Sequence, residues 1–511
     1  MLWESATPDF LEDREILNSI DESPIPRLSK IICTINSRTA TVEMIEKMIE
    51  SGMDIARLNF AHDDAEHHLQ AIANIRKAVK NIQSRSETHL DVAIAIDTKG
   101  PEIRIGMFEG GPEAQITLIE GKTLRLSTDR AYMKKGNSSV VYIDYEDIHE
   151  VATPGMKIFI SSAILTLDWM EENDILCSVL QGGVLTSYDE VTGEGMFKLK
   201  TELSAKDLSY IELAIQEHVD CLFLTYTMSQ DSVLKVKHLI KDCGGDMLVF
   251  AKIQNKIGLM NIKEILNVAD GLIVCRHDLG IEFPSEKVFC CQKMVLARCK
   301  EAGKPCICSN SSLHSMVDES VASYSECFDL GNSVLDCVDG VLLSKVTAIG
   351  RHSLESIRFT AGVCKEAESV VNHKLVFDAV SIFHVDNPAR SVAFTAVTLA
   401  FKTNAQAIIV ISTSGSTAKW MSVYHPPCPI VAISRRLFDT RKLCFYRAIF
   451  PVLYKKPIEN DWEEDIQERW KFGVEYCKQM QFVEAGNAVI VVTGWKIGAS
   501  HTNSMKIVTV T

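Results

Sequence analysis

The chain has no long apolar run. None of its segments approaches the ~20 consecutive apolar residues that a helix needs to span a bilayer. Residues 1–5 also lack the basic stretch followed by an apolar one that is typical of a secretory signal peptide. We therefore expect a cytoplasmic protein without a membrane partner.

Positive charge is also scarce. Lysine and arginine together number 53 against 67 aspartates and glutamates, so the formal net charge is −14. No basic stripe in the sequence offsets this deficit, whereas surfaces that bind nucleic acid are strongly basic. The charge balance argues against nucleic acid and against an anionic membrane surface as partners.

Cysteine spacings typical of zinc sites are missing. The 16 cysteines are scattered, and many of them lie inside apolar segments. Cys306 and Cys308 would share one face of a strand, but no histidine or second cysteine pair completes a zinc-binding set. The pattern favours reduced, buried thiols, as in cytosolic proteins.

The sequence does contain eight short apolar runs. They are rich in valine, isoleucine and leucine and are continuous rather than alternating, which is typical of parallel strands buried on both faces. Helical patterns separate them, so we predict an α/β fold whose strands close into a (β/α)8 TIM barrel. The predicted strands are 31–35, 54–60, 91–97, 220–227, 247–252, 271–275, 305–308 and 340–344.

One connection is much longer than a barrel needs. Short alternating segments separated by glycine and polar turns fill the gap between the third and fourth runs, which predicts a small inserted β-barrel domain. A final α/β unit follows the eighth run, with strands near 407–411, 430–433, 449–452 and 488–492. The predicted domains are an N-terminal segment 1–28, the barrel 29–100 and 202–372, the inserted domain 101–201 and the C-terminal α/β domain 373–511.

Five motifs lie on this framework. They are Ser-Gly-Met-Asp-Ile-Ala-Arg-Leu-Asn-Phe at 51–60, Asp-Thr-Lys-Gly-Pro-Glu-Ile-Arg at 97–104, Asp-Leu-Gly-Ile-Glu at 278–282, Ala-Gly-Lys-Pro at 302–305 and Thr-Gly-Trp at 493–495. Together with the domain order, these motifs resemble the pyruvate kinase family from about residue 29 to the end. The resemblance implies transfer of a phosphoryl group from phosphoenolpyruvate to ADP, which yields pyruvate and ATP.

Cationic residues at the strand ends match family positions that handle phosphate. By this resemblance Arg57 clamps the phosphoryl group, Arg104 is a further cationic contact, and Lys252 stabilises the transition state. Phosphoryl transfer depends on cations placed around the transferring group. Each residue taken singly could be a solvated or salt-bridged loop residue. Their occurrence together at the strand ends of one barrel favours the functional interpretation.

The resemblance also implies two kinds of metal ligand. Asn59, Asp97 and Thr98 match ligands of the family's monovalent cation, K⁺. Asp278 matches one of the two carboxylates that hold the divalent cation, Mg²⁺ or Mn²⁺. Gln254 stands where the family has the second carboxylate, a glutamate. Because a neutral amide is a poorer ligand for a hard cation, we predict a weakened divalent site.

Three further positions depart from the family pattern. His277 replaces a glycine whose backbone approaches the substrate carboxylate, and an imidazole would crowd that approach. Asn310 replaces a threonine near the proton-transfer step, where an amide donates a hydrogen bond but cannot relay a proton. Ala61 removes a serine oxygen from the K⁺ site. These changes predict weak or absent activity.

A second ligand site is expected in the C-terminal domain. A loop of hydroxyl residues follows a strand and precedes a helix there, and hydroxyls with backbone N–H groups at a helix start bind anions. By resemblance this is the phosphate pocket for a sugar bisphosphate effector. Thr413 replaces a lysine found in some members, and a capped helix without a ligand remains the alternative. The expected effector-binding residues are Ser412, Ser414, Gly415, Ser416, Thr417, Trp462 and Arg469.

Two functions follow from the resemblance and its departures. The first is a glycolytic phosphotransferase of reduced activity that binds phosphoenolpyruvate and ADP or ATP and assembles as a homotetramer. The alternative is a catalytically silent paralogue that binds metabolites or acts as a regulatory subunit, in a hetero-oligomer with an active relative. Another phosphoenolpyruvate-using barrel enzyme is less favoured, because the inserted and terminal domains resemble this family alone.

Overall fold

The computed structural model describes residues 26–511 apart from 62–64, 87–90, 101–102, 112, 172–173, 194–202, 310–312, 383–386, 460 and 497–500. Asn310 and most of the predicted N-terminal segment 1–28 lie outside the described residues. Within the described part of the chain, no helix is both long enough and apolar enough to cross a membrane.

Three parallel strands and two helices begin the barrel. In the first helix Ile45, Met48 and Ile49 recur at spacings of three and four residues and are buried on one face. The side chain of Thr41 accepts the backbone N–H of Met44 and caps the helix start. The elements are β1 (Lys30–Ile35), α1 (Val42–Glu50), β2 (Ile55–Asn59), α2 (Ala65–Ser86) and β3 (Ala93–Asp97).

The inserted domain follows β3. Its elements are β4 (Ile103–Arg104), β5 (Gln115–Leu118), β6 (Thr123–Ser127), β7 (Val140–Tyr142), α3 (Ile148–Val151), β8 (Lys157–Ile160), β9 (Ala163–Met170), β10 (Asp174–Gln181), β11 (Gly183–Thr186) and β12 (Glu190–Gly193). Seven strands form one sheet in the order β4-β12-β8-β9-β10-β6-β7, and β5 pairs with β11. A bridge between Ile105 and Ile143 joins the two edges of the larger sheet, so the sheet curls on itself.

The second half of the barrel supplies five more parallel strands. Its elements are α4 (Ala205–Gln216), β13 (Cys221–Leu224), α5 (Gln230–Asp242), β14 (Leu248–Ile253), α6 (Lys256–Met260), α7 (Ile262–Val268), β15 (Gly271–Cys275), α8 (Arg276–Glu282), α9 (Ser285–Ala302), β16 (Cys306–Ser309), α10 (Tyr324–Leu335), β17 (Gly340–Leu343), α11 (Lys345–Ala348) and α12 (Ser353–Ser369). The barrel closes in the order β1-β17-β16-β15-β14-β13-β3-β2. The predicted (β/α)8 barrel is confirmed.

The C-terminal domain is an α/β unit, as predicted. Its elements are α13 (His373–Ser381), α14 (Pro388–Thr403), β18 (Ala407–Ile411), α15 (Ser416–Val423), β19 (Ile430–Ser434), α16 (Leu437–Leu443), β20 (Ile449–Leu453), α17 (Trp462–Gln479), β21 (Ala488–Gly494) and β22 (Thr502–Thr509). The sheet order is β20-β19-β18-β21-β22, and β22 runs antiparallel to β21.

The barrel interior and the C-terminal domain share one core. The ring of Phe445 from the C-terminal domain packs against Phe223 and Phe250 of the barrel, with centroids 6.3 and 5.3 Å apart. The backbone N–H of Ala448 donates to the carbonyl of Leu28, just before β1, at 2.8 Å. The C-terminal domain therefore closes the amino ends of the strands and leaves their carboxyl ends as the open mouth.

The cysteines follow the predicted pattern in most positions. Of the 16 cysteines, 13 are buried, including Cys306 and Cys308, which both face the layer of helices around the barrel. Cys243 and Cys290 are exposed and Cys327 is half-buried, so burial does not extend to every thiol.

Candidate active site at the barrel mouth

Asp97 is the centre of a buried ionic cluster at the mouth. Its Oδ2 accepts hydrogen bonds from Arg57 Nε at 2.9 Å and Lys252 Nζ at 3.1 Å, and its Oδ1 accepts one from Thr225 Oγ1 at 2.6 Å. The exposed fractions are 1% for Asp97, 7% for Arg57 and 8% for Lys252. The groups meet because closing a parallel barrel brings the carboxyl ends of β2, β3, β13 and β14 to one rim.

The cluster holds Arg57 in a fixed orientation. Its Nε and Nη2 both face Asp97, and its Nη1 donates to Thr34 Oγ1 at 2.9 Å. Burial alone would raise the pKa of Asp97, but the positive charges of Lys252 and Arg57 outweigh burial and hold that pKa below its ordinary value. One carboxylate therefore holds two cations at the mouth, where they can meet an anionic ligand.

Gln254 and Asp278 form a direct pair beside this cluster. Gln254 follows β14 and is 5% exposed. Its Nε2 donates to Asp278 Oδ2 at 2.7 Å, and its Oε1 accepts the backbone N–H of Tyr226 at 2.8 Å. Asp278 lies in the first turn of α8. Burial raises the pKa of Asp278, and the nearby charge of Lys252 acts against that rise.

This pair does not fit a divalent cation held by two protein oxygens. The backbone donor of Tyr226 fixes the amide so that its NH₂ group, not its oxygen, faces Asp278. Mg²⁺ and Mn²⁺ need oxygen ligands, and an N–H group repels them. Among the described residues, no cluster of three histidine, cysteine or acidic side chains offers an alternative site.

The residues expected to hold a monovalent cation are brought together. Asn59 and Asp97 are opposite each other in the pairing of β2 with β3, and Thr98 follows directly. Asn59 Oδ1 accepts the backbone N–H of Ala61 at 3.2 Å, and the Thr98 carbonyl accepts Thr225 Oγ1 at 2.7 Å. Side-chain and carbonyl oxygens are the kind of ligand that a monovalent cation takes, and position 61, an alanine, offers no side-chain oxygen; the K⁺ role of Asn59, Asp97 and Thr98 stays a prediction.

The remaining predicted mouth residues are Arg104, His277 and Asn310. Arg104 belongs to β4 of the inserted domain, where its Nη1 donates to the carbonyl of Tyr188 at 2.9 Å. His277 is exposed on α8, next to Asp278. Asn310 lies outside the described residues. The roles assigned to these three residues stay predictions.

Two residues that organise the mouth were missed by sequence reasoning. Thr225 and Tyr226 follow β13 and read in the sequence as the continuation of an apolar run. Thr225 Oγ1 bonds to Asp97, and Tyr226 has a φ of 50°, a left-handed conformation that is strained for an aromatic residue. Tyr226 Oη donates to Glu190 Oε1 of β12 at 2.9 Å, which ties the inserted domain to the mouth. The polar Thr-Tyr-Thr sequence at 225–227, where the apolar run ends, could have indicated that these residues belong to the mouth.

The C-terminal domain contains a cleft of about 460 Å³ at the expected effector loop. Gly415, with a φ of 74°, precedes α15, and its N–H donates to Ser412 Oγ at 2.9 Å. A side chain at Gly415 would meet Leu443, because a Cβ there would lie 2.8 Å from that residue. The cleft is lined by Ser412, Ser414, Ser416, Thr417, Trp462 and Arg469, together with Arg435 and Lys496.

Arg435 is a cationic lining residue that sequence reasoning missed. It forms a two-point ion pair with the buried Asp465, with Nη–Oδ distances of 3.0 and 2.6 Å. Arg469 Nη2 lies 2.8 Å from Asp465 Oδ2. Burial would raise the pKa of Asp465, but its bonds to the two arginines lower it. Asp465 thus places two guanidinium groups at one side of the cleft.

Comparisons with known proteins agree with this architecture. The barrel domain model of pyruvate kinase matches residues 26–357, and the alpha/beta domain model of pyruvate kinase matches residues 390–508. The chain is 36% identical over 506 residues to pyruvate kinase PKLR of Homo sapiens, covering 98% of this chain and 88% of that protein. It is 33% identical over 487 residues to pyruvate kinase of Candida albicans, covering 94% and 95% of the two chains. It is 34% identical over 471 residues to pyruvate kinase of Leishmania mexicana, covering 91% and 92%.

The fold and the mouth define a (β/α)8-barrel protein with a charged rim, an inserted β domain and a C-terminal α/β domain. The chain belongs to the pyruvate kinase family, because both family models match and the relatives align over nearly its full length.

The role of Asp97 in the ionic cluster can be tested by Asp97→Asn. Removing the carboxylate takes away the charge partner that the buried Arg57 and Lys252 share, so we expect a loss of about 3–5 kcal/mol in the free energy of unfolding near neutral pH. Because the folded-state pKa of Asp97 is lowered from its ordinary 3.8, its stabilisation is present above that value and is lost as the pH falls through the folded pKa. Urea unfolding at neutral and acidic pH measures both effects. Asp242→Asn, at an exposed position, is the control, and equal stability of Asp97→Asn and the wild type at neutral pH would contradict the cluster.

Proposed function

We propose that this chain is a cytoplasmic, glycolytic phosphotransferase that transfers the phosphoryl group of phosphoenolpyruvate to ADP, with a turnover well below that of a pyruvate kinase with two metal-binding carboxylates. The observation that carries the proposal is the buried cluster of Arg57, Asp97 and Lys252 at the carboxyl ends of the barrel strands. This is the rim where barrel enzymes display their chemistry.

The cluster suits phosphoryl transfer because that reaction needs positioning and neutralisation of negative charge. Lys252 and Arg57 supply the charge, and Asp97 orients both groups before the ligand arrives, so little reorganisation is needed. In this scheme the bond from phosphorus to the enol oxygen breaks, a bond to the terminal ADP oxygen forms, and the enolate is protonated to pyruvate. Asn310 would sit near the proton transfer by family resemblance, without a hydroxyl to relay the proton.

A monovalent cation, K⁺ in the family, would be held by Asn59, Asp97 and Thr98. When bound, it would add positive charge beside the phosphoryl group. The described geometry of Gln254 and Asp278 does not suit the family's divalent ion, so no step is assigned to it. Each lost charge or hydrogen bond in such a site costs roughly 2–4 kcal/mol of transition-state stabilisation, and the losses need not add.

Lys252→Met tests the proposed chemistry. If the chain is a slow enzyme, its residual turnover depends on Lys252, because few other cations face the transition state. We expect the variant to lose turnover to background, measured as pyruvate formation, while circular dichroism remains that of the wild type. Lys241→Met, at an exposed position, should leave turnover unchanged.

Turnover that survives Lys252→Met would refute the chemistry proposed for Lys252. A wild-type protein without turnover would favour the second candidate function, a catalytically silent paralogue that acts as a subunit of a larger assembly.

One observation supports oligomer formation under either candidate function. Helix α10 presents an apolar face with Tyr324 and Phe328 one turn apart, 86% and 69% exposed. Helix α9 also exposes Phe289, at 58%, and Met294, and Val321 is exposed just before α10. Monomeric proteins rarely expose apolar patches of more than a few hundred Å². The face therefore supports assembly with a second copy in a homotetramer, or with an active pyruvate kinase subunit in a hetero-oligomer.

The double variant Tyr324→Glu/Phe328→Glu tests the apolar face. Two buried carboxylates in an interface would be unpaired, so we expect the variant to sediment as a smaller species than the wild type in analytical ultracentrifugation. Ile382→Glu places a charge at another exposed apolar position, 80% exposed, and should leave the mass unchanged. A variant that keeps the wild-type mass would exclude this face as the interface.

We further propose that the C-terminal cleft binds a sugar bisphosphate, with the Ser412–Thr417 loop facing one phosphate and Arg435 and Arg469 adding positive charge. The absence of a lysine at Thr413 predicts weaker binding than in members that have it. The support is the left-handed turn at Gly415 before α15 and the two guanidinium groups beside Asp465.

Ser414→Glu tests this cleft. A carboxylate in the loop would repel a phosphate, so we expect at least about tenfold weaker binding of a hexose bisphosphate by calorimetry, equivalent to ~1.4 kcal/mol. Ser209→Glu, on the barrel helix α4, is the control. Wild-type protein that gives no binding signal would support the alternative of a capped helix without a ligand.

A further inference from the structure

A continuous chain of hydrogen bonds crosses the place where two carboxylates would converge on a divalent cation. It runs from Glu190 through the Tyr226 hydroxyl, from the Tyr226 backbone N–H to Gln254, and from Gln254 to Asp278. The three bonds are 2.9, 2.8 and 2.7 Å long. They connect the inserted domain, the ends of β13 and β14, and α8.

We infer that the Gln254 amide takes the place of the divalent cation, so that the barrel mouth binds its ligand, a small phosphorylated carboxylate, independently of divalent metal. The inference rests on the proposed function only in taking phosphoenolpyruvate as the probe of that ligand class.

The orientation of the amide carries the inference. A carboxylate at position 254 could accept the Tyr226 N–H with one oxygen and still offer the other to a metal. The amide has one oxygen, and it is turned toward the Tyr226 N–H and away from Asp278. Turning the amide over would place its NH₂ group against the backbone N–H and leave a buried donor unpaired. The group that points at Asp278 is therefore a hydrogen-bond donor, which satisfies that carboxylate as a cation otherwise would.

Tyr226 is held so that its N–H cannot easily turn away. The residue is 5% exposed, and its side chain packs in the core of the inserted domain while its hydroxyl bonds to Glu190. Its neighbour Thr225 is fixed by bonds to Asp97 and to the Thr98 carbonyl. A left-handed φ at a tyrosine persists only where the surroundings determine it, and here both sides of the residue are fixed.

The charges of the mouth are consistent with ligand binding without a metal. Lys252 and Arg57 are both fixed at the mouth by hydrogen bonds to the carboxylate of Asp97. Lys252 also acts on Asp278, whose Oδ2 receives the amide bond. A phosphate or carboxylate group entering the mouth meets these fixed cations directly.

The first experiment measures Mn²⁺ binding by electron paramagnetic resonance and by the shift in Tm. We expect no Tm shift with Mn²⁺ for the wild type. Gln254→Glu should bind Mn²⁺ at least tenfold more tightly and gain Tm with Mn²⁺, because it places two carboxylates together. The double variant Gln254→Glu/Asp278→Asn should bind Mn²⁺ no more tightly than the wild type and should show no Tm shift with Mn²⁺. Gln479→Glu adds a distant carboxylate, so it should show the Mn²⁺ affinity and Tm of the wild type.

Wild-type protein that binds Mn²⁺ as tightly as Gln254→Glu would overturn the inference. So would wild-type Mn²⁺ binding that Asp278→Asn removes, and this comparison holds even if Gln254→Glu fails to fold.

The second experiment measures phosphoenolpyruvate binding by calorimetry with and without EDTA. We expect equal affinity in both conditions for the wild type and at least a tenfold loss with EDTA for Gln254→Glu. A tenfold loss in the wild type would overturn the inference. If the wild type binds no phosphoenolpyruvate at all, the proposed function fails, while the Mn²⁺ comparison still decides whether the amide replaces the metal.

Discussion

The ion pairs of Asp97 are the interaction on which the mouth of this barrel depends. A single buried carboxylate holds Arg57 and Lys252, which are distant in sequence, and Thr225 fixes the carboxylate in turn. In a low-dielectric rim, two unpaired cations would be costly, and one carboxylate beside them lowers that cost. The two cations held in this way are what makes the rim suitable for an anionic ligand.

The rest of the fold supports this arrangement from two sides. The C-terminal domain closes the amino ends of the strands through the packing of Phe445 on Phe223 and Phe250, which leaves the opposite rim open. The inserted domain reaches that rim through the bond between Tyr226 and Glu190. Tyr226 therefore connects the inserted domain to the hydrogen bonds of the mouth, because its hydroxyl bonds to Glu190 and its backbone N–H bonds to Gln254.

A change of a few atoms at position 254 alters the chemistry of the mouth without disturbing the fold. Glutamine fills the same space as glutamate and keeps the bond to the Tyr226 N–H, so the barrel retains its shape. With an NH₂ group in place of a carboxylate oxygen, Asp278 faces a hydrogen-bond donor and not a negatively charged oxygen. Family membership is shown over nearly the full chain, whereas the inferred loss of the divalent ion would follow from position 254 alone.

The sequence by itself determined the barrel, the inserted domain and the C-terminal α/β unit, because burial on both faces leaves continuous apolar runs that can be read locally. It did not reveal β22, an edge strand whose Thr-Asn-Ser start lacks an apolar run. Asp97, Lys252 and Gln254 could be named as site residues, but only the tertiary structure decided their partners. Lys252 meets Asp97 across 155 residues, and the Gln254 amide is oriented by a backbone N–H 28 residues earlier. Local sequence patterns record burial, whereas such pairings exist only once the barrel has closed and brought the strand ends together.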